Sequence, residues 1–177
     1  MNQQIATLAG GCFWCTEAVF ARLQGVVTIA PGYMGGHTDS PDYKAVCTGV
    51  TGHAEVIQIH YQPEIIDFKA LLMVFFATHD PTTLNRQGHD TGTQYRSAIF
   101  CHDEDQESTA SEVIQQLDNG RYFPNPIVTE VSKASTFYPA ESYHFGYFNK
   151  NPYQPYCQAV IHPKLHKLEE YFKHLMK

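Results

Sequence analysis

The stretch Gly10-Gly11-Cys12-Phe13-Trp14-Cys15-Thr16-Glu17-Ala18-Val19-Phe20 decides how the chain is read. It follows a short apolar run, Ile5 to Ala9, and leads into apolar positions at Phe13, Ala18, Val19 and Leu23. That spacing predicts a buried strand that turns at the two glycines into a helix over 12–24, ended by Gly25. Cys12 stands at the junction. The unpaired N–H groups and the positive end of the helix dipole would face it there, lowering a thiol pKa from about 8.5 and enriching the nucleophilic thiolate. Cys15 follows on the same face, placed to attack an oxidised Cys12. Phe13 and Trp14, the only tryptophan, set flat apolar surface beside the thiol. A free cysteine is most often a small buried hydrophobe. The Gly-Gly turn and the two aromatics argue against that for Cys12, whereas for Cys15 both readings stand.

Outward from this stretch, strands are predicted at 26–34, 54–61, 95–100 and 126–132. Helices are predicted over 63–79, with Asp67 near the start, over 103–117, capped by Asp103, and at the C-terminus. The order β-α-β-β-α-β-α-β begins as a split βαβ unit. We therefore expect an α+β fold: a two-layer α/β sandwich with a ferredoxin-like β-α-β-β-α-β core around a mixed sheet. A long irregular, Pro-rich and mobile C-terminal segment and a terminal helix would follow. The 177 residues suit a single domain, 1–177, without repeats. The segments 32–53 and 79–94 are long for plain connections and are candidate site loops.

Hydrophobic residues make up 43% and charged residues 17%, an ordinary globular composition. A net charge of −6 argues against nucleic acid or an anionic membrane as partner. The opening "MNQQIATLAGG" lacks the features of a signal peptide, and no apolar run is long enough to span a bilayer, so a cytoplasmic location is expected. Five cysteines, an odd number, do not suit a full disulfide framework. Cys47 and Cys101 read as structural. A structural zinc needs a second close pair of ligands; the histidines are scattered, so no metal is expected.

Two other segments carry chemistry. "YKAVCTGVTGHAEV" supplies Tyr43 and Glu55, and Glu55 opens an apolar strand where partial burial would raise its pKa and keep it protonated. A neutral carboxylic acid beside a thiolate donates a proton to a polar substrate oxygen. "GHDTGTQYRSA" adds Asp90 and the hydroxyl of Tyr95. The tyrosines also read as core residues, and Glu55 as a solvated strand end.

The pieces "GGCFW", "GYMGG", "TGHAEV", "HDPTTLNRQG", "GTQYRSAIF", "FYPAESYH" and "YCQAVIHPKL" run in one order along nearly the whole chain. Together they resemble the methionine sulfoxide reductase A family, which reduces the S-epimer of methionine sulfoxide. The resemblance implies Cys12 as the nucleophile on sulfur and Glu55 as the acid toward the sulfoxide oxygen. It implies Tyr43 and Tyr95 as donors to that oxygen, and Phe13 and Trp14 as the wall for the S-methyl group. Asp90 matches an acid supporting the loop and its water network; His53 is given no chemical step. A sulfenic acid on Cys12, a disulfide and recycling by thioredoxin would follow, with no metal or organic cofactor; nothing in the sequence points beyond a monomer. Most members carry Gly after the Trp and place resolving cysteines in a Gly-rich tail. Here Cys15 and Cys157 compete, and Cys157 is favoured because a mobile segment could swing it in. A general thiol-disulfide oxidoreductase using Cys12 and Cys15, or a Cys/His metal module, would leave Tyr43, Glu55 and Tyr95 unexplained.

Overall fold

The structure is a computed structural model that describes residues 2–177. In chain order it contains β1 (Gln4–Gly10), α1 (Phe13–Phe20), β2 (Val26–Met34), α2 (Tyr43–Cys47), β3 (Ala54–Tyr61) and α3 (Phe68–Thr78). The short strands β4 (Arg86–Gln87) and β5 (Asp90–Thr91), then β6 (Ser97–Cys101), α4 (Glu104–Asn119), β7 (Glu130–Lys133) and β8 (Tyr138–Pro139) follow. The chain ends with α5 (Tyr147–Lys150) and α6 (His162–Phe172), the latter entered through one π-helical turn, Cys157–Ile161.

Six strands form one sheet in the order β7-β6-β1-β3-β2-β8. Its inner four, β6-β1-β3-β2, are antiparallel neighbours, and with α1 and α3 they make the expected β-α-β-β-α-β core. α4 then carries the chain to β7, which pairs in parallel with β6. The two-residue period of the strands separates two faces. Ala6, Leu8, Ile57, Ile59, Tyr61 and Ile99 pack under the helices with Phe20, Leu71, Leu72 and Phe75. Ala9, Met34, Ala54, Val56, Ala98 and Phe100 point the other way, against Ala134 and Phe137. Each large apolar side chain so buried contributes about 1.5–3 kcal/mol. Glu55 falls in the same alternation as Ile57 and Ile59, and so lies on the helix-covered face, 1% exposed. That placement positions the site.

Local departures from the sequence pattern have local causes. α1 stops at Phe20 because the chain must turn into β2, which it does through Gly25 at φ +87°. α3 starts five residues later than expected, at Phe68. The Asp67 carboxylate accepts the Ala70 N–H there at 2.8 Å and so sets the boundary. Tyr95 is not in the strand: it closes a single 3₁₀ turn, Thr93–Tyr95, and β6 begins at Ser97. The last expected strand is displaced to Glu130–Lys133, because Val128 N–H donates to Pro81 O (2.8 Å) rather than to the sheet. Within 32–53 the structure adds α2, capped by Asp42 on Ala45 N–H.

Gly11 shows how tightly the loop at 79–94 meets the core. It adopts φ +93°, and a Cβ there would lie 2.6 Å from Cγ of Gln87. Replacing Gly11 with Ala should therefore cost roughly 1–3 kcal/mol and displace the β4-β5 hairpin. Urea unfolding checks this: an unchanged midpoint would mean that the turn tolerates a side chain.

Candidate active site

Cys12 is the N-cap residue of α1, and its own side chain makes no capping hydrogen bond. Its carbonyl accepts Cys15 N–H at 3.0 Å and Thr16 N–H at 3.4 Å. The first helical N–H, that of Phe13, donates instead to Glu55 Oε1 across the sheet, at 3.1 Å. One bond thus joins the head of α1 to β3 and brings the carboxyl group beside the cysteine turn.

The second oxygen, Glu55 Oε2, is buried without a partner among the described residues. Burial is the main force on this group. It pushes the pKa from 4.5 to about 8, against the Phe13 N–H that favours the carboxylate and helped by the charges of Asp90 and Cys15. Glu55 is therefore an uncharged acid near neutral pH. Tyr43, at the start of α2, and Tyr95 are held as phenols: burial raises both pKa values, and the Glu55 charge raises them further. Tyr43 is anchored by Glu141, whose carboxylate accepts Tyr43 N–H (2.8 Å) and the Tyr33 hydroxyl (2.9 Å). Cys47, read as structural, lies in hydrogen-bond contact with the side chain of Tyr43.

The thiols are arranged differently from the sequence expectation. Cys12, Cys15 and Cys157 are 7%, 2% and 0% exposed. Burial pushes the Cys12 thiol up, not down, and its hydrogen bond to Cys15 adds to this. Cys15 moves the other way. It gains the hydrogen bond from Cys12, the Lys164 charge and the Tyr156 hydroxyl at 3.5 Å, and these outweigh desolvation. The acidic thiol of the two is thus Cys15. Cys157 does not sit on a free-swinging segment; it is packed into the core on the π-helical turn, near enough to Cys15 for that charge to raise its pKa. Asp90, in β5, accepts the Tyr156 hydroxyl at 2.7 Å and so reaches the thiols through that phenol.

The two aromatics of the motif also part company. Phe13 is fully buried, with Tyr43 stacked on it at 6.3 Å between ring centroids, so it backs the wall rather than facing outward. Trp14 is half-buried and stacks on Tyr147 at 3.8 Å and 8°. Its indole N–H donates to His144 Nδ1 at 3.0 Å. That fixes the His144 proton on Nε2, an atom buried without a partner among the described residues. Glu17 accepts the N–H of Gly146 (2.9 Å), which pins the segment carrying His144 and Tyr147 to α1. His53 binds the Gly-rich loop, accepting Gly36 N–H at 3.0 Å and donating to Thr38 O at 2.6 Å. His144, Tyr147, Tyr156 and Lys164 were not singled out in the sequence. They lie more than 120 residues after Cys12 and Cys15; His144 falls inside "FYPAESYH" and Tyr156 and Lys164 inside "YCQAVIHPKL", while Tyr147 lies in neither.

Comparison with known proteins bears on this arrangement. Residues 4–176 match the family described as peptide methionine sulfoxide reductase. The peptide methionine sulfoxide reductase MsrA of Chromobacterium violaceum is 58% identical over 172 residues, 97% of this chain and 98% of that protein. The crystal structure of reduced Mxr1 from Saccharomyces cerevisiae superposes with a TM-score of 0.80 at 38% identity, over 88% of this chain and 89% of that one. Mxr1 in complex with Trx2 superposes with a TM-score of 0.57 at 26% identity, over 81% and 85% of the two chains. A buried thiol turn, a carboxylic acid kept neutral and a match along almost the whole length lead to one assignment: the chain belongs to the peptide methionine sulfoxide reductase family, and it is an oxidoreductase.

Proposed function

We propose that this chain reduces the S-epimer of methionine sulfoxide, free or protein-bound, to methionine, and that thioredoxin recycles it. The observation that carries this reading is the orphaned Oε2 of an uncharged Glu55, held beside Cys12 by the Phe13 N–H. Sulfoxide sulfur is a poor electrophile until its oxygen is protonated or strongly hydrogen-bonded. Glu55 supplies the proton, and Tyr43 and Tyr95 supply phenol donors around the same space. Cys12, which is hydrogen-bonded to the Cys15 sulfur through its thiol proton, gives that proton up and attacks sulfur as the thiolate; methionine leaves, and the oxygen stays as a sulfenic acid on Cys12. A second thiol condenses with it. The sulfoxide oxygen departs as water with two protons, one from Glu55 and one from solvent, leaving a disulfide for an external dithiol to reduce.

Cys15 is the better resolver in this arrangement. It already contacts Cys12, and its hydrogen bonds and the neighbouring cation favour the thiolate, whereas burial and the Cys15 charge hold Cys157 protonated. The C. violaceum relative, matched over 98% of its length, is named a peptide methionine sulfoxide reductase, and the Mxr1–Trx2 complex supports thioredoxin as the reductant. Five cysteines, too few and too odd for a full disulfide framework, suit work in a reducing compartment, and we place the protein in the cytoplasm as a monomer.

The decisive test is a single turnover of prereduced protein with methionine-(S)-sulfoxide peptide and its R-epimer. Methionine from the S-epimer alone, with loss of one thiol pair containing Cys12, is expected; methionine from neither epimer would overturn the assignment. Cys157→Ser should keep thioredoxin-driven turnover, and Cys15→Ser should halt it after one round. The reverse pattern would make Cys157 the resolver.

Glu55→Gln should slow methionine formation by about 10²–10⁴-fold, and the wild-type rate should fall as pH rises through about 8, where Glu55 loses its proton. Stability should show the matching sign. Between 4.5 and about 8 the folded protein holds a proton on Glu55 that the unfolded chain has lost, so its stability falls as pH rises across that window. The Gln variant lacks this slope. Its melting temperature should gain on the wild type between pH 5 and pH 8, and parallel curves would contradict a buried, neutral Glu55.

A further inference from the structure

Proton donation on the oxygen-facing side of Cys12 leaves a half-buried cation unused. Lys164 sits in the first turn of α6 and lines a cavity of about 520 Å³ together with Cys12, Cys15, Asp90 and Tyr156. Tyr156, Val160 and Lys164 recur at helical spacing along the π-turn and α6, so one face of the C-terminal run delivers both the phenol and the ammonium to this cavity. Lys164 Nζ donates to Thr78 O, the C-terminal residue of α3, at 2.7 Å. That bond aims the side chain inward rather than to solvent. No carboxylate pairs with it: among the described residues the one side-chain ion pair is Arg96–Glu130. The nearby His79 is neutral, since burial pushes its pKa down to about 3.

We propose that Lys164 is a positioning residue for the resolving half of the reaction: it holds the Cys15 sulfur as a thiolate facing Cys12. This rests on the reading of Cys15 as the resolver. The Cys15 thiolate attacks the Cys12 sulfenic acid. The S–S bond forms, the S–O bond breaks, and the leaving hydroxide takes a proton from solvent and departs as water. The groups facing Cys15 are Cys12, which donates to it, the Tyr156 hydroxyl at 3.5 Å, whose proton goes to Asp90, Lys164, the acids Asp90 and Glu55, and His89 on the cavity wall, with Cys157 behind. Glu55 is neutral below about pH 8 and Asp90 is occupied by Tyr156, so Lys164 is the cation left to offset the sulfur charge. The ammonium is itself desolvated, which lowers its pKa, and the thiol charges of Cys15 and Cys12 draw it back toward the charged form. The two charges support each other. The family fold thus has two working sides here: protons reach the sulfoxide from Glu55 and the phenols, while the thiolate charge is held from the α6 side.

The test follows sulfenic acid and disulfide after one turnover by rapid quench, alkylation and mass spectrometry, in wild type, Lys164→Met, Lys164→Arg and Cys15→Ser. Lys164→Met should slow disulfide formation about tenfold at pH 7 and move its pH midpoint up by about one unit, with the rate recovering at high pH. Lys164→Arg keeps the charge and should stay near wild type. Ultraviolet titration of the thiolate in Cys12→Ser, with and without Lys164→Met, reads the same shift with no turnover. A wild-type disulfide rate and midpoint in Lys164→Met, with Cys15→Ser halted at the sulfenic acid, would overturn the role of Lys164 alone. A Cys12–Cys157 disulfide formed at the wild-type rate in Cys15→Ser would overturn the resolver reading and this inference with it.

Discussion

The bond from Phe13 N–H to Glu55 Oε1 is the constraint on which the site depends. It exists because two independent patterns meet. The Gly-Gly turn opens α1 with an uncapped donor, and the two-residue period of β3 sends Glu55 to the helix-covered face beside Ile57 and Ile59. A register slip of one residue in β3 would turn Glu55 to the opposite face and replace it with Ala54 or Val56. The antiparallel ladder to β2, in which Tyr33 stands opposite Glu55, and the ladder to β1 fix that register from both sides. The geometry of proton donation is therefore set by strand pairing, far more rigidly than a loop would set it.

Around this bond the C-terminal third acts as a clamp. Glu141 holds Tyr33 and Tyr43 together, Glu17 holds the start of α5, and the indole of Trp14 is trapped between the His144 nitrogen and the Tyr147 ring. These contacts join residues about a hundred or more positions apart, so the wall beside Cys12 exists only once the chain end has wrapped the core. An aromatic stack of this kind adds about 0.5–1.5 kcal/mol beyond the area it buries, and several acting on one segment make its order cooperative.

Much of this was legible in the sequence, for reasons that can be named. Alternation in 54–61 and the Gly-Gly-Cys junction are local signals, and from them the core topology, the place of Cys12 at the head of α1 and the burial of Glu55 could be read. What was not legible depends on distance along the chain. The dipole argument for an acidic Cys12 was sound locally. It failed because burial and Cys15, which no helix-end rule contains, outweigh the dipole. The prolines around Cys157 read as a mobile tail, yet the π-turn packs that sulfur into the core. Phe13 looked like surface beside the thiol because its neighbours were unknown, and Tyr43, Tyr33 and His144 cover it. Tyr156 and Lys164 carry no motif of their own; only the fold brings them to Cys15.

The site also shows why a neutral acid and an acidic thiol coexist within one turn of a helix. Both groups are buried, and burial alone would keep both protonated. They differ in what faces them. Glu55 has one backbone donor and an empty side, so desolvation wins and the proton stays. Cys15 has a thiol donor, a phenol and an ammonium, so its pKa falls in spite of equal burial. Exchanging those surroundings would leave a charged carboxylate unable to protonate the sulfoxide oxygen and a protonated thiol slow to close the disulfide. The division between an oxygen-facing side and a sulfur-facing side is thus electrostatic before it is spatial, and the head of α1 is where the two environments meet.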